Sequence, residues 1–396
     1  MRRQQASDME ALWQHHNALW RLPEQIAGHW YGAAEVDARL LKSQVKGRFW
    51  ETLSDLKTTL LVTREYEHLL MALSVKDSRP HISYMPLPHP SGLAVDRVRN
   101  IVHVASTRNP NLVYDLAPVE ALMERADVEI ESLEDRTLVP VRARFFPGSL
   151  YIHDLALIEH KLYANAVGQN AVVRLEESGG YERVWWPRCI ETYGEAQFDR
   201  NLIQLNSIAA GKDVAASYFS ASTDKISRRR PGHQNFAVDG RGVIFSGKTR
   251  EVIARGLTRP HSARLLNKRL WVDNSGYGEL GRIGRGKFEA VARLPGWTRG
   301  LCFKERIAFV GTSRVIPRFR HYAPGLEVER SVCGVHAVDT LSGEVMGSII
   351  WPSGNQIFAV EWMPNRIATT LPFIFGRRRS HKRERLLFYA YQTRAL

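Results

Sequence analysis

One strand-pair pattern recurs six times between Ser91 and Leu371, and a repeat of that kind restricts the fold of this chain more than any other feature. Its first element reads Ser91-Gly-Leu-Ala-Val, His153-Asp-Leu-Ala-Leu, Asn206-Ser-Ile-Ala-Ala, His261-Ser-Ala-Arg-Leu, Arg299-Gly-Leu-Cys-Phe and Phe358-Ala-Val-Glu-Trp. A second apolar run begins 8 to 10 residues after each start, at Ile101, Leu162, Val214, Leu270, Ile307 and Ile367. Polar turns such as Glu159-His160-Lys161 and Gly211-Lys212-Asp213 separate the two runs, so each pair reads as a hairpin. The starts are 62, 53, 55, 38 and 59 residues apart, which leaves room for two further strands in most units. Four-stranded antiparallel units at this spacing are propeller blades. The expected fold is therefore all-β, a six-bladed β-propeller.

The ends leave seven blades open as an alternative. Strand-like runs at Leu60 to Leu73, His81 to Leu87 and Arg385 to Gln392 lie outside the six repeats. Pairing N-terminal with C-terminal strands would seal the ring and remove its exposed edges. Before them, Asp8 to Leu22 and Ala33 to Leu56 carry apolar residues at helical spacing, with Asp8 as a possible cap. Residues 1–57 are thus expected to form a helical extension and 58–396 the propeller.

Composition narrows the setting. Three scattered cysteines without a CxxC pair fit reduced, packed thiols. No apolar run approaches the length that spans a bilayer, and Met1 to Met9 has no apolar signal core, so a cytoplasmic protein is expected. A net charge of +14 would attract anionic ligands or nucleic acid. Much of the excess sits in Arg228-Arg229-Arg230 and in the run from Arg377 to Arg385, which read first as solvated loops.

In a propeller the start of each first strand opens on one face of the central channel, and the end of the antiparallel second strand returns to it. The aligned starts then form a ring of Ser91, His153, Asn206, His261, Arg299 and Phe358. The next column adds Asp154, Ser207 and Ser262, and the second strands deliver Asn109, Asn165, Ser220, Asn274 and Ser313. His153, His261 and Asp154 are the candidate acid/base or metal-ligating groups. Asn206, Asn274, Asn165 and Ser262 are candidates to orient a substrate, and Arg299 to clamp a carboxylate or phosphate. Adjacent strand residues point to opposite faces, so His153 and Asp154 can serve together only if the strand starts irregularly. The loop Gly276-Tyr-Gly-Glu-Leu-Gly281 has no helix pattern behind it and reads as a turn, not a phosphate cradle.

The segments Pro88-His-Pro-Ser-Gly-Leu-Ala-Val-Asp, Gly256-Leu-Thr-Arg-Pro-His-Ser-Ala-Arg, Leu270-Trp-Val-Asp-Asn-Ser-Gly-Tyr-Gly-Glu-Leu-Gly and Thr298-Arg-Gly-Leu-Cys-Phe resemble a bacterial family of hypothetical propeller proteins. The resemblance runs from about Leu60 onward and implies no particular activity. The repeats are more distantly similar to gluconolactonase-type and strictosidine-synthase-type six-bladed propellers, which use a central channel, often with a metal. That likeness implies fold, not reaction. The ring is richer in His, Asn and Arg than in carboxylates, which argues against a calcium site and leaves a divalent ion an open question.

The leading expectation is an enzyme of hydrolase or lyase type, acting on a small anionic or peptide-like substrate at the channel mouth. A non-catalytic binding or scaffold propeller is the second reading. Nucleic-acid binding through the basic runs ranks last, because few aromatic residues interleave with them. Oligomeric state is not legible in the sequence.

Overall fold

The computed structural model describes residues 2–19, 36–124, 136–376 and 390–394. Six antiparallel sheets are arranged as a six-bladed β-propeller. The innermost strands of blades 1 to 6 are Pro90–Asp96, Ile152–Ile158, Leu205–Ala209, Pro260–Leu266, Trp297–Lys304 and Ala359–Pro364. Five of the six repeat hairpins are local, as the spacing predicts. The sixth is not. Ile367 is buried but lies outside any strand, and the place beside Ala359–Pro364 is taken by Thr58–Arg64, which pairs with it from Thr58↔Pro364 to Thr63↔Ala359. Leu69–Lys76 and Arg79–Pro86 complete that blade, so the two ends of the propeller are sewn into one sheet.

Apolar residues on both faces of these strands explain why the blades stack. A strand sandwiched between two neighbouring blades cannot alternate apolar with polar. Leu69 to Leu73 is accordingly buried throughout. Each interface has its own core. Between blades 2 and 3 it comprises residues such as Tyr163, Val172 and Trp185 against Ile208, Phe219 and Phe245, and between blades 4 and 5 Trp271 and Leu280 against Leu301 and Val310.

Three other expectations need correction. The second strand of blade 3 begins at Tyr218, not Val214, because Asp213 extends the turn by accepting the Ala216 N–H (2.6 Å) on its carboxylate and the Ser217 hydroxyl (2.7 Å) on its carbonyl. Within Ala33 to Leu56, residues 33–35 lie outside the described residues and the rest is not one helix. Short helices Ala38–Leu41 and Phe49–Asp55 flank a strand, Gln44–Gly47, that adds to the outer edge of blade 5. Gly47, at φ +61°, turns the chain there. Most of the apolar residues at that spacing still share one surface: Leu40, Leu41, Phe49 and Leu53 pack over the seam between blades 5 and 6, while Val45 is exposed. The first helix spans Arg2–Leu19, so Asp8 lies inside it and is no cap; Trp13 donates to the Ser353 carbonyl at 3.0 Å.

Of the expected strand Arg385 to Gln392, only its end is described. Tyr391–Gln392 pairs with Ala121–Leu122 and takes no part in ring closure. The run from Arg377 to Arg385 lies outside the described residues. Among those described, no helix is long and apolar enough to cross a membrane.

Candidate functional site

The first strands do start irregularly. In blades 1 to 5 the pairing register shifts near the first residues, between Ile152 and Leu155 in blade 2 and between His261 and Arg264 in blade 4. Such a bulge lets consecutive side chains depart from strict alternation. His153, His261, Arg299 and Phe358 line a cavity of about 360 Å³ at the mouth of the channel. The following column turns away and pins the neighbouring blade. Asp154 accepts the Ile208 N–H at 2.9 Å, Ser207 the Ala263 N–H at 2.8 Å and Ser262 the Gly300 N–H at 2.7 Å.

Five of the residues expected at the site therefore stand outside the cavity lining. Asp154 is held by both Arg264 guanidinium nitrogens, at 2.8 and 3.0 Å. Asn165 accepts the backbone N–H groups of His153 and Asp154 and donates to the Leu205 carbonyl, so it fixes the bulge itself. Asn206 donates to the Pro260 carbonyl at 2.9 Å. Asn274 accepts the Thr258 N–H at 2.7 Å and donates to Glu279 at 2.9 Å. With Ser262, each of these bonds the scaffold, though Asn206 keeps its amide oxygen unbonded and stands next to His153.

Much of the lining was not visible in the first alignment column. Two residues before it come Tyr151, Gln204, Arg259, Trp297 and Gln356, all lining the cavity. Tyr151, Gln204 and Arg259 share φ near +50°, which tips the chain toward the axis before each strand begins. A search of the repeat at i−2 as well as i would have found them. Glu65 and Tyr66 follow the strand that closes blade 6, and Arg318 and Tyr322 come from the 314–333 insertion of blade 5. That insertion meets the 222–241 insertion of blade 3 over the mouth: Tyr322 donates to the Gly232 carbonyl at 3.0 Å, and Arg259, stacked 4.0 Å from the Tyr322 ring, donates to the Pro231 carbonyl.

The electrostatics are unusual for a packed interior. Six arginines line the cavity against a single carboxylate, Glu65. Arg299 is 8% exposed, and its guanidinium lies 3.3 Å from the Phe358 ring centroid and makes no hydrogen bond or ion pair with any described residue. Burial pushes it down to about 10. His261 is also fixed. Its Nδ1 lies 2.8 Å from the Arg259 carbonyl and 2.9 Å from Ser275 Oγ, whose own proton goes to the Thr298 carbonyl. Both neighbours can only accept, so Nδ1 carries the proton and Nε2 keeps a lone pair. Burial first, then Arg299, hold both His153 and His261 well below the ordinary imidazole range, so both are neutral at pH 7.

His336, between Thr312 (2.9 Å) and Ser348 (2.8 Å) in blade 5, shows the same effect away from the cavity. Burial, with Lys46 adding to it, pushes this imidazole down to about 4. An unfolded imidazole titrates near 6.5, so below that pH the unfolded chain binds a proton the folded chain refuses, and stability falls as pH falls. His336 alone is expected to cost about 2 kcal/mol between pH 8 and pH 5. Urea unfolding of the wild type and His336→Asn at both pH values measures this as the difference in their pH-dependent losses.

Among the described residues, no group of three His, Cys, Asp or Glu side chains could hold a metal ion. The donor set in the cavity does not fit one either, since Arg299 stands beside both imidazoles and would repel a dication.

A family model described as a domain of unknown function, DUF4915, matches residues 47–371. No curated protein matches the chain. In structure it is similar to a chain of a nidogen/laminin complex, at TM-score 0.50 and 11% identity over 77% of this chain and 98% of that one, a likeness of fold alone. A putative gluconolactonase (TM-score 0.38, 17% identity, 68% of this chain and 89% of that one) is also similar. So is a streptogramin B lyase (TM-score 0.39, 15% identity, 74% and 75%).

Proposed function

The chain belongs to the DUF4915 family, and from its own geometry we propose an enzyme that binds a small anion at the propeller mouth and acts on it by proton transfer. The observation that carries this reading is Arg299. A buried guanidinium with no acceptor among the described residues is costly, and the donors of its planar fork match a carboxylate or phosphate. His261 supplies the second part. With Nδ1–H anchored on a backbone carbonyl, Nε2 is oriented as a general base for a C–H or a water. Its basicity is suppressed while Arg299 is unpaired. An anion on Arg299 offsets that positive charge, so binding raises the basicity of the group that must then take the proton. Proton abstraction beside a carboxylate, as in a lyase, and activation of water, as in a hydrolase, both fit this arrangement. Once protonated, His261 is itself the acid that returns the proton to the leaving group or product, and His153, which lines the same cavity, is the second candidate base.

The test is a turnover screen of small anionic esters, amides and carboxylates bearing a β-leaving group, with wild type and His261→Gln. The expected result is turnover lost by about 100-fold or more in His261→Gln with anion affinity little changed. Equal turnover in both proteins contradicts the assignment of His261. Anion binding without turnover across the panel favours a non-catalytic binding propeller.

A further inference from the structure

Arg299 faces an opposite charge across the cavity that it does not touch. Glu65 lines the same cavity and lies close enough to favour the charged form of Arg299, yet the two form no ion pair within 4.0 Å. Among the described residues, the closest polar approaches to Glu65 fall on one oxygen. Thr107 donates to Oε1 at 2.5 Å, Arg108 approaches Oε1 at 3.5 Å and His89 at 3.7 Å. No described residue hydrogen-bonds Oε2. Burial alone would raise the Glu65 carboxyl, but Arg108, His89 and Thr107 overcome it and hold the group ionised. A carboxylate placed only to hold Thr107 and Arg108 has no need to leave its second oxygen free at a cavity wall.

We propose that the substrate is a zwitterion of the amino-acid type, its acid group on Arg299 and its ammonium on Glu65 Oε2; this rests on the anion-binding reading above. The other walls of the cavity suit an apolar or aromatic side chain. Tyr151, Trp297 and Phe358 present rings there, and the Tyr66 phenol, raised to about 12 chiefly by burial, stays protonated and adds a donor but no charge. The rings also present negative faces to an ammonium group. An anion without the ammonium would meet the Glu65 carboxylate with no positive charge of its own to offset the repulsion, which makes the pair of charges a selectivity device.

Three probes of one shape separate the possibilities in calorimetry: L-phenylalanine, 3-phenylpropionate and 2-phenylethylamine. In the wild type, phenylalanine is expected to bind at least 10-fold more tightly than phenylpropionate, and phenylethylamine most weakly. Glu65→Gln, which keeps an oxygen for Thr107, should bring phenylalanine and phenylpropionate within about twofold of each other. Equal or tighter binding of phenylpropionate by the wild type overturns the proposal, as does a preference that survives Glu65→Gln. If neither carboxylate binds, the anion site itself is wrong, a different failure from binding without preference for the zwitterion.

Discussion

Replacing Arg299 by methionine is expected to weaken binding of 3-phenylpropionate by about 100-fold or more while leaving the folded protein no less stable. The two halves of this result come from one fact. Truncating one partner of a buried, hydrogen-bonded charge pair costs about 3 kcal/mol or more, which is two decades or more in affinity. In the free protein that partner is absent, so Arg299 contributes a desolvation penalty offset only by its stacking on Phe358 and by the Glu65 charge across the cavity, which it does not contact. Methionine keeps an unbranched apolar stem against that ring. Calorimetric titration reads the first half and thermal unfolding the second. A variant that unfolds well below the wild type would mean that Arg299 is structural, held by contacts the site geometry does not contain.

Asp154→Ala is expected to do the opposite: destabilise the fold by about 3–5 kcal/mol and leave the affinity of the surviving folded protein close to that of the wild type. Asp154 and Arg264 are both largely buried and paired through two hydrogen bonds, and Asp154 also accepts the Ile208 N–H of the next blade. Removing the carboxylate leaves a buried guanidinium with only the Ile208 and Ala263 carbonyls. Asp273, another carboxyl near Arg264, gives little help, because burial raises it well above the ordinary range and disfavours its charged form, and Glu361 adds only its charge at longer range. Denaturant unfolding gives the first quantity, and calorimetry at low temperature the second. A stable Asp154→Ala protein with abolished binding would move Asp154 from the scaffold into the site.

The contrast between these neighbours shows what the repeat could and could not convey. Aligned strand starts place His153, His261 and Arg299 on one axis because a closed ring of similar blades must bring equivalent positions together. The alignment does not carry the bulge. A shift of register after His153 or His261 decides that one side chain faces the cavity while the next, Asp154 or Ser262, faces the adjacent blade. Asn165 and Asn274 look like site residues for the same reason: an amide at a strand end serves a ligand or a backbone equally well, and here the backbone claims both. Glu65 was hidden by topology. Its strand precedes all six repeats and reaches the channel only because Thr58–Arg64 closes blade 6 against Ala359–Pro364. Tyr322 and Arg318 lie in an insertion, where no repeat register exists to place them.

The central claim is that Arg299 and the two imidazoles share one anion site. It is tested most directly by NMR titration of the histidine ring protons, with His153 and His261 assigned through single His→Gln variants. Both rings are expected to titrate well below the ordinary imidazole range in the free protein. Both midpoints should rise together when saturating 3-phenylpropionate is added, because the bound anion offsets the charge of Arg299. Midpoints that stay in place while the ligand binds would contradict the account.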